Sequence, residues 1–240
     1  VFCGQIVTQS ILVTNDLVDC GGFGLMVGAP GITIDLDGHV VDGLGLDAGI
    51  FNPHYDDVTI TNGVVSQFLY GIQLNPGTAR NVVSNMRIEA NEEAGMALSD
   101  ADQGGEGNTI RDNTLAGNEM GIALFTGTQG TLIRNNTLVA NAGEGGIVLE
   151  FASENRVVDN QITSSGGAGV FLAGGSSNEI VDNLIKDSGG PGVQTGNDLL
   201  ASNDNVISGN TIKNGGEEST ANKVDDAVDE AREVVEDKKN

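Results

Sequence analysis

Side chains able to do chemistry are few in this sequence, and they lie in three places. The segment Asn52-Pro53-His54-Tyr55-Asp56-Asp57 holds one of the two histidines. An imidazole titrates near neutral pH, so His54 is a candidate general base; an ordinary turn histidine is the competing reading. Asp100, Asp102 and Glu106 share one loop and offer oxygen ligands of the kind calcium takes. That loop has neither an EF-hand spacing nor a Gly-Gly-x-Gly-x-Asp repeat, so a solvated acidic loop competes with a metal site. Calcium is the one cofactor this inventory suggests. Cys3 and Cys20 are the only cysteines. A pair bracketing one short loop reads as a disulfide, with two buried thiols as the alternative. The disulfide reading implies an oxidising, extracytoplasmic setting. His39, following Asp37-Gly38, reads as a structural hydrogen bonder.

Charge narrows the partners. The 240 residues carry 34 acids against 11 bases, a formal net charge of −23. Phosphate backbones are bound through Lys and Arg, so nucleic acid is excluded as a partner, and so is an anionic membrane surface. No apolar run approaches the roughly 20 residues that a membrane span needs. The chain opens at Val1 without an apolar signal-type segment, which fits a targeting segment that was removed or not included.

The elements that must position these groups come from a repeat. Apolar anchors recur every 23 to 27 residues at Leu12, Leu36, Ile60, Val83, Ile110, Ile133, Val157, Ile180 and Ile207. A second apolar column follows five residues later, from Leu17 to Ile212. Some 12 to 14 residues after most anchors stands Gly-apolar-x-apolar, as in Gly71-Ile-Gln-Leu74 and Gly121-Ile-Ala-Leu124. Three short apolar segments per repeat, each too short for a helix, predict three short strands per turn of a solenoid of about nine coils. Asn113, Asn136, Asn160, Asn183 and Asn210 fall three residues after successive anchors. Stacked at a bend, they would bond one another from coil to coil, since Asn tolerates the left-handed conformation.

This column resembles the asparagine ladder of right-handed parallel β-helices of the pectate-lyase type, and the resemblance covers residues 3–215. It implies an all-β, single-stranded right-handed parallel β-helix. Family members include polysaccharide lyases, glycosidases, uronate epimerases and non-enzymatic surface proteins, so fold alone does not select an activity. In that family substrate lies along the sheet called PB1, which here corresponds to the Gly-apolar-x-apolar strands. The outward positions of these strands include Gln73, Ala97, Ala123, Val148, Phe171 and Gln194, with Phe125 and Glu150 in the next outward column. They predict a flat, partly apolar, nearly uncharged binding face. Asn52-Pro-His54 is similar to the Asp-Pro-His of mannuronan epimerases, in which His and Tyr act as base and acid. That similarity puts His54 and Tyr55 forward as catalytic residues, although Asn52 stands where the family has an acid.

Residues 1–26 form an N-terminal cap and first coil, 27–216 the β-helix, and 217–240 an acidic tail. Val224, Ala227, Val228, Ala231, Val234 and Val235 share one helical stripe in that tail, so residues 221–238 read as an amphipathic α-helix. The expected function is a secreted or surface binding module for a polysaccharide or a protein. The rival is a polysaccharide lyase or uronate epimerase. An apolar PB1 face around Phe125 and Phe171 would also serve as a homo-oligomer contact unless the tail covers it.

Overall fold

The computed structural model describes residues 1–99, 107–196 and 202–215. The Asp100, Asp102 and Glu106 calcium set and the tail helix lie outside these residues. Every regular element among the described residues is a β-strand. The paired strands run parallel, each bonded to its counterpart one coil away. The result is the expected right-handed parallel β-helix.

PB1 contains nine strands among the described residues: Gln5–Val7, Leu25–Val27, Ala48–Asn52, Tyr70–Leu74, Ala94–Leu98, Met120–Leu124, Gly145–Glu150, Ala168–Ala173 and Val193–Thr195. The other two sides merge into one 16-stranded sheet, because Thr59–Ser66 and Val82–Glu89 run unbroken through the bend. Alternation sends Ile72, Leu74, Met96, Leu98, Ile122, Leu124, Ile147 and Leu149 into the lumen, where each is fully buried. The second apolar column pairs as expected, Leu17 with Val41 and Val41 with Val65.

The first two anchors differ from the sequence reading. Ile11 pairs with Ile34, and Ile34 with Ile60, so these residues occupy the inner column rather than Leu12 and Leu36. Leu12 faces outward, opposite Asp35. The cause is a longer bend in the second coil, which tucks Leu36 into the core between strands Thr33–Asp35 and Val40–Gly43. A side chain at Gly63, one coil on, would strike Leu36 Cβ at 2.3 Å, so glycine is required there.

The ladder forms as predicted. Asn136 Nδ2 donates to Asn160 Oδ1 at 3.0 Å, and Asn160 Nδ2 to Asn183 Oδ1 at 3.0 Å. Each Oδ1 also accepts the backbone N–H of the Asn one coil earlier. The left-handed residue, however, is the one before each Asn: Asp112, Asn135, Asp159, Asp182 and Gly209, with φ between 54° and 66°. Two further ladders line the other corners. One runs through Asn91, Asn118 and Asn141. The other runs from Asn81 to Asn108, and from Asn155 through Asn178 to Asn205. All three corners thus use the same device, a left-handed residue followed by a buried amide that satisfies backbone groups no strand can reach.

At the N-terminal end, residues 1–4 lead into the first coil beside its far strand. Val1 packs against the core, its ammonium donates to Asn15 Oδ1 at 2.9 Å, and Asn15 Nδ2 returns a bond to the Val1 carbonyl at 3.2 Å. Cys3 and Cys20 are bonded, S–S 2.00 Å, tying this segment to the end of strand Leu17–Cys20.

Candidate groove on the PB1 face

The outward row of PB1 is in register from end to end: Ile6, Met26, Phe51, Gln73, Ala97, Ala123, Val148, Phe171 and Gln194. The predicted flat apolar strip is not what this row makes. Ala97, Ala123 and Val148 are 2%, 0% and 2% exposed. Ala94, Ala97 and Ala123 form a small cluster outside the lumen, packed beneath Tyr70, Met120 and Phe125. Small residues in the strand let larger ones at its two ends fold over it. Phe125, Gln73, Phe171 and Gln194 are half-buried, and Glu150 is exposed.

The margin corrects the expectation of a nearly uncharged face. Glu93, Glu119, Met120, Phe125, Glu144, Val148 and Glu150 line a cavity of about 240 Å³. Glu93, Glu119 and Glu144 come from the turn that enters PB1 on three successive coils, about 4.8 Å apart at the sheet spacing. The glycines of the repeat follow these turns. Reading only strand positions therefore located the glycines and missed the acids that precede them. Tyr70 was missed as well. Its phenol is pushed up by burial and, secondarily, by the nearby Glu93 carboxylate. None of the cavity's lining residues is basic.

The predicted catalytic pair sits elsewhere. His54 and Tyr55 follow strand Ala48–Asn52, at the opposite end of the PB1 strands from Tyr70, Glu93, Glu119 and Glu144. Their rings are in tilted contact, centroids 4.4 Å apart. Asn52 Oδ1 accepts the N–H groups of His54 and Tyr55, and Asn52 Nδ2 donates to the Tyr55 carbonyl at 2.7 Å. The buried Asn52 thus makes this turn, which is the role it plays where an epimerase would carry an acid. Asp56 and Asp57 are engaged by Arg80. Arg80 holds the Asp57 carboxyl below its ordinary range, chiefly by a side-chain hydrogen bond. His39 is a structural bonder, its Nδ1 2.9 Å from Asp16 Oδ1. Arg111 pairs with Asp112 beside the ladder, away from PB1.

The exposed hydrophobic side chains of the N-terminal coils were not anticipated. Ile6, Leu44 and Leu46 are 60%, 58% and 54% exposed at the N-terminal coils. Phe23 stacks on Phe51, rings 4.8 Å apart. No helix among the described residues is long and apolar enough to cross a membrane.

Comparison with known proteins agrees with this architecture. The periplasmic alginate epimerase AlgG superposes with a TM-score of 0.63 at 16% identity, over 82% of this chain and 48% of that one. An alginate lyase from Paenibacillus gives 0.61 at 13% identity, over 85% and 91%. Tailspike protein 2 of an Escherichia coli bacteriophage gives 0.65 at 12%, over 87% and 35%. The chain spans about half the length of AlgG. At these identities the likeness is one of fold. No curated protein matches. The profile of NosD, described as a periplasmic copper-binding protein, matches residues 31–227, well over half of the sequence, and the chain therefore belongs to the NosD family of right-handed β-helix proteins.

Proposed function

We propose that this chain is a non-catalytic, extracytoplasmic β-helix module, secreted or held at a surface, that contacts a polysaccharide along PB1. The observation that carries the reading is the groove at Glu93, Glu119, Glu144 and Glu150, with Met120, Phe125 and Val148 between them and no basic residue in its lining. A uronate lyase or epimerase must neutralise the substrate carboxylate while its neighbouring proton is removed. Carboxylates repel a uronate instead, and they accept hydrogen bonds from sugar hydroxyls or amines. His54 and Tyr55 lie at the far end of the strands from Glu93, Glu119 and Glu144. Gln73, Phe171 and Gln194 extend the contact surface up and down the same row. The disulfide supports the extracytoplasmic setting, since such bonds persist in oxidising compartments.

Affinity electrophoresis tests this in gels carrying a neutral or amino-sugar polymer, or alginate. Retardation in the first and not in alginate at low salt is the expected result. Release of unsaturated uronate from alginate, read by absorbance with and without calcium, would establish the lyase instead. Concentration-dependent dimers abolished by replacing Phe125 and Phe171 with serine would assign the face to a second copy of the chain.

A further inference from the structure

Donors for copper, the metal in the family's description, are not assembled in this fold. Among the described residues no three His, Cys, Asp or Glu side chains are grouped to hold a metal, and both cysteines are bonded to each other. A site of another kind lies at the bend opposite PB1. Strands Thr59–Ser66 and Val82–Glu89 run unbroken through that bend, so Gly63 and Met86 stand in register where later coils place a ladder asparagine. The outer side of the bend holds a groove of about 550 Å³. Two rows of residues line it. The corner row is Asp37, Asn62, Asn85 and Asp112, each in the left-handed conformation. The strand row is Val64, Arg87 and Thr114, paired from coil to coil. Gly63 and Met86 lie between the rows and are buried. Four successive coils contribute, so the groove is about 14 Å long at the sheet spacing.

Most of the charge in this lining is already engaged. Arg87 Nε donates to Glu89 Oε2 at 2.7 Å, and Asp112 is held by Arg111 and Asn135. Asn62 Nδ2 donates to both carboxylate oxygens of Asp35 at 3.2 Å, which fixes the amide and leaves Oδ1 as an acceptor. Asp37, Asn85 and Thr114 are exposed, and their side chains make no hydrogen bond among the described residues. An amide, a hydroxyl and a carboxylate therefore remain for a ligand, with the half-buried Val64 between them. Such a set suits sugar hydroxyls, each of which both donates and accepts. A polyanion would meet the Asp37 and Asp112 carboxylates, and a polycation the Arg87 guanidinium. An extended peptide would need a free strand edge. Both strands of the bend are paired on each side, so none is offered.

We propose that this bend is a glycan site separate from PB1, taking a chain of uncharged sugars through hydrogen bonds to Asn62, Asn85 and Thr114. It stands whether or not PB1 binds a polymer. The test adds cellohexaose, maltohexaose or mannohexaose to the isotope-labelled full chain and follows backbone amide shifts by NMR. At least one sugar should shift the amides of Asn62, Asn85 and Thr114 saturably. The variant Asn85→Gly/Thr114→Val removes the amide and the hydroxyl without straining the fold, since glycine accepts the φ of 55° at position 85 and valine suits a strand. It should weaken that binding about tenfold or more at an unchanged guanidinium midpoint. Shifts confined to PB1 amides such as Gln73 and Phe171 would overturn the site while leaving the PB1 reading in place. No shift with any of the three sugars would overturn it too, as would a variant that binds like the wild type. An oligouronate that shifts the same amides as strongly would overturn the assignment to uncharged sugars.

Discussion

Asn160→Ala is the sharpest test of what holds the rod together. The Asn160 amide is fully buried and takes part in five hydrogen bonds. Nδ2 donates to the carbonyls of Ile133 and Val158 and to Asn183 Oδ1, each at 3.0 Å. Oδ1 accepts from the backbone N–H of Asn136 at 2.9 Å and from its Nδ2 at 3.0 Å. Truncation affects these partners unequally. Asn136 Nδ2 keeps the carbonyls of Ile110 and Arg134, and Asn183 Oδ1 keeps the Asn160 N–H. The Asn136 N–H is left in the interior without its acceptor, and two carbonyls lose a donor. An unpaired buried group costs about 1–3 kcal/mol, with carbonyls at the lower end because a second lone pair remains usable. The expected loss is about 3 kcal/mol, roughly a hundredfold in the unfolding equilibrium. Guanidinium titration followed by circular dichroism reads it as a lower midpoint at unchanged slope. A loss under about 0.5 kcal/mol, with slope unchanged, would mean that the ladder is satisfied by water and that strand pairing alone sets the coil spacing.

Further outcomes follow from other corners. Ser165 occupies the place that Asn141 holds one coil earlier, and its buried Oγ has no partner. Gly146 lies beside Ser165 as Gly121 lies beside Asn141, leaving room for the larger amide; Ser165→Asn should stabilise by about 1 kcal/mol, and a lower midpoint would refute the equivalence of the two sites. Asp16, Asp57 and Asp112 are held below the ordinary carboxylate range, chiefly by the Val40 N–H, by Arg80 and by Asn135 respectively. Their folded-state values are depressed, so their contribution is complete above about pH 4 and is lost as pH falls through those lowered values. Replacing all three with Asn should flatten the stability profile below about pH 4; a profile as steep as wild type would dismiss these contacts. Gln in place of Glu93, Glu119 and Glu144 should raise the melting temperature in low salt and change little in 1 M salt, where charges are screened within about 3 Å; a salt-independent effect would show that repulsion across the groove is not the cause.

The sequence made the solenoid legible because its lumen obeys one rule at every coil, so Ile110, Ile133, Val157 and Ile180 align without reference to anything else. The Asn113 column stood out for the same reason. The other two ladders carry the same signal at equally fixed offsets, Asn91, Asn118 and Asn141 three residues after the second apolar column and Asn155, Asn178 and Asn205 two residues before the anchors, but Ser165 and Ser188 end the first column and Thr131 breaks the second. Leu36 misled because an apolar residue in a lengthened bend fits the anchor pattern as well as Ile34 does, and only pairing with Ile60 separates them. The disulfide was readable, since two cysteines allow one bridge. The groove was not. Glu150 was readable as an outward strand position, but Glu93, Glu119 and Glu144 come from turns, where side-chain direction depends on local backbone geometry and no period-two rule applies. Its floor is buried by residues from both ends of the strand, which is a property of packing and not of alternation.

The identical corners make coil number a variable independent of cross-section. Ladder bonds join each coil only to the next, as Asn113 joins Asn136 across 23 residues. A duplicated stretch running from Asn113 to the residue before Asn136 would meet the same partners above and below. It would lengthen the outer face by about 4.8 Å while leaving every lumen contact in kind. Such a chain behaves as a ruler whose graduations can be added or removed singly. Selection for a longer or shorter polymer could then act by copying DNA in units of one coil, with no new core to be invented.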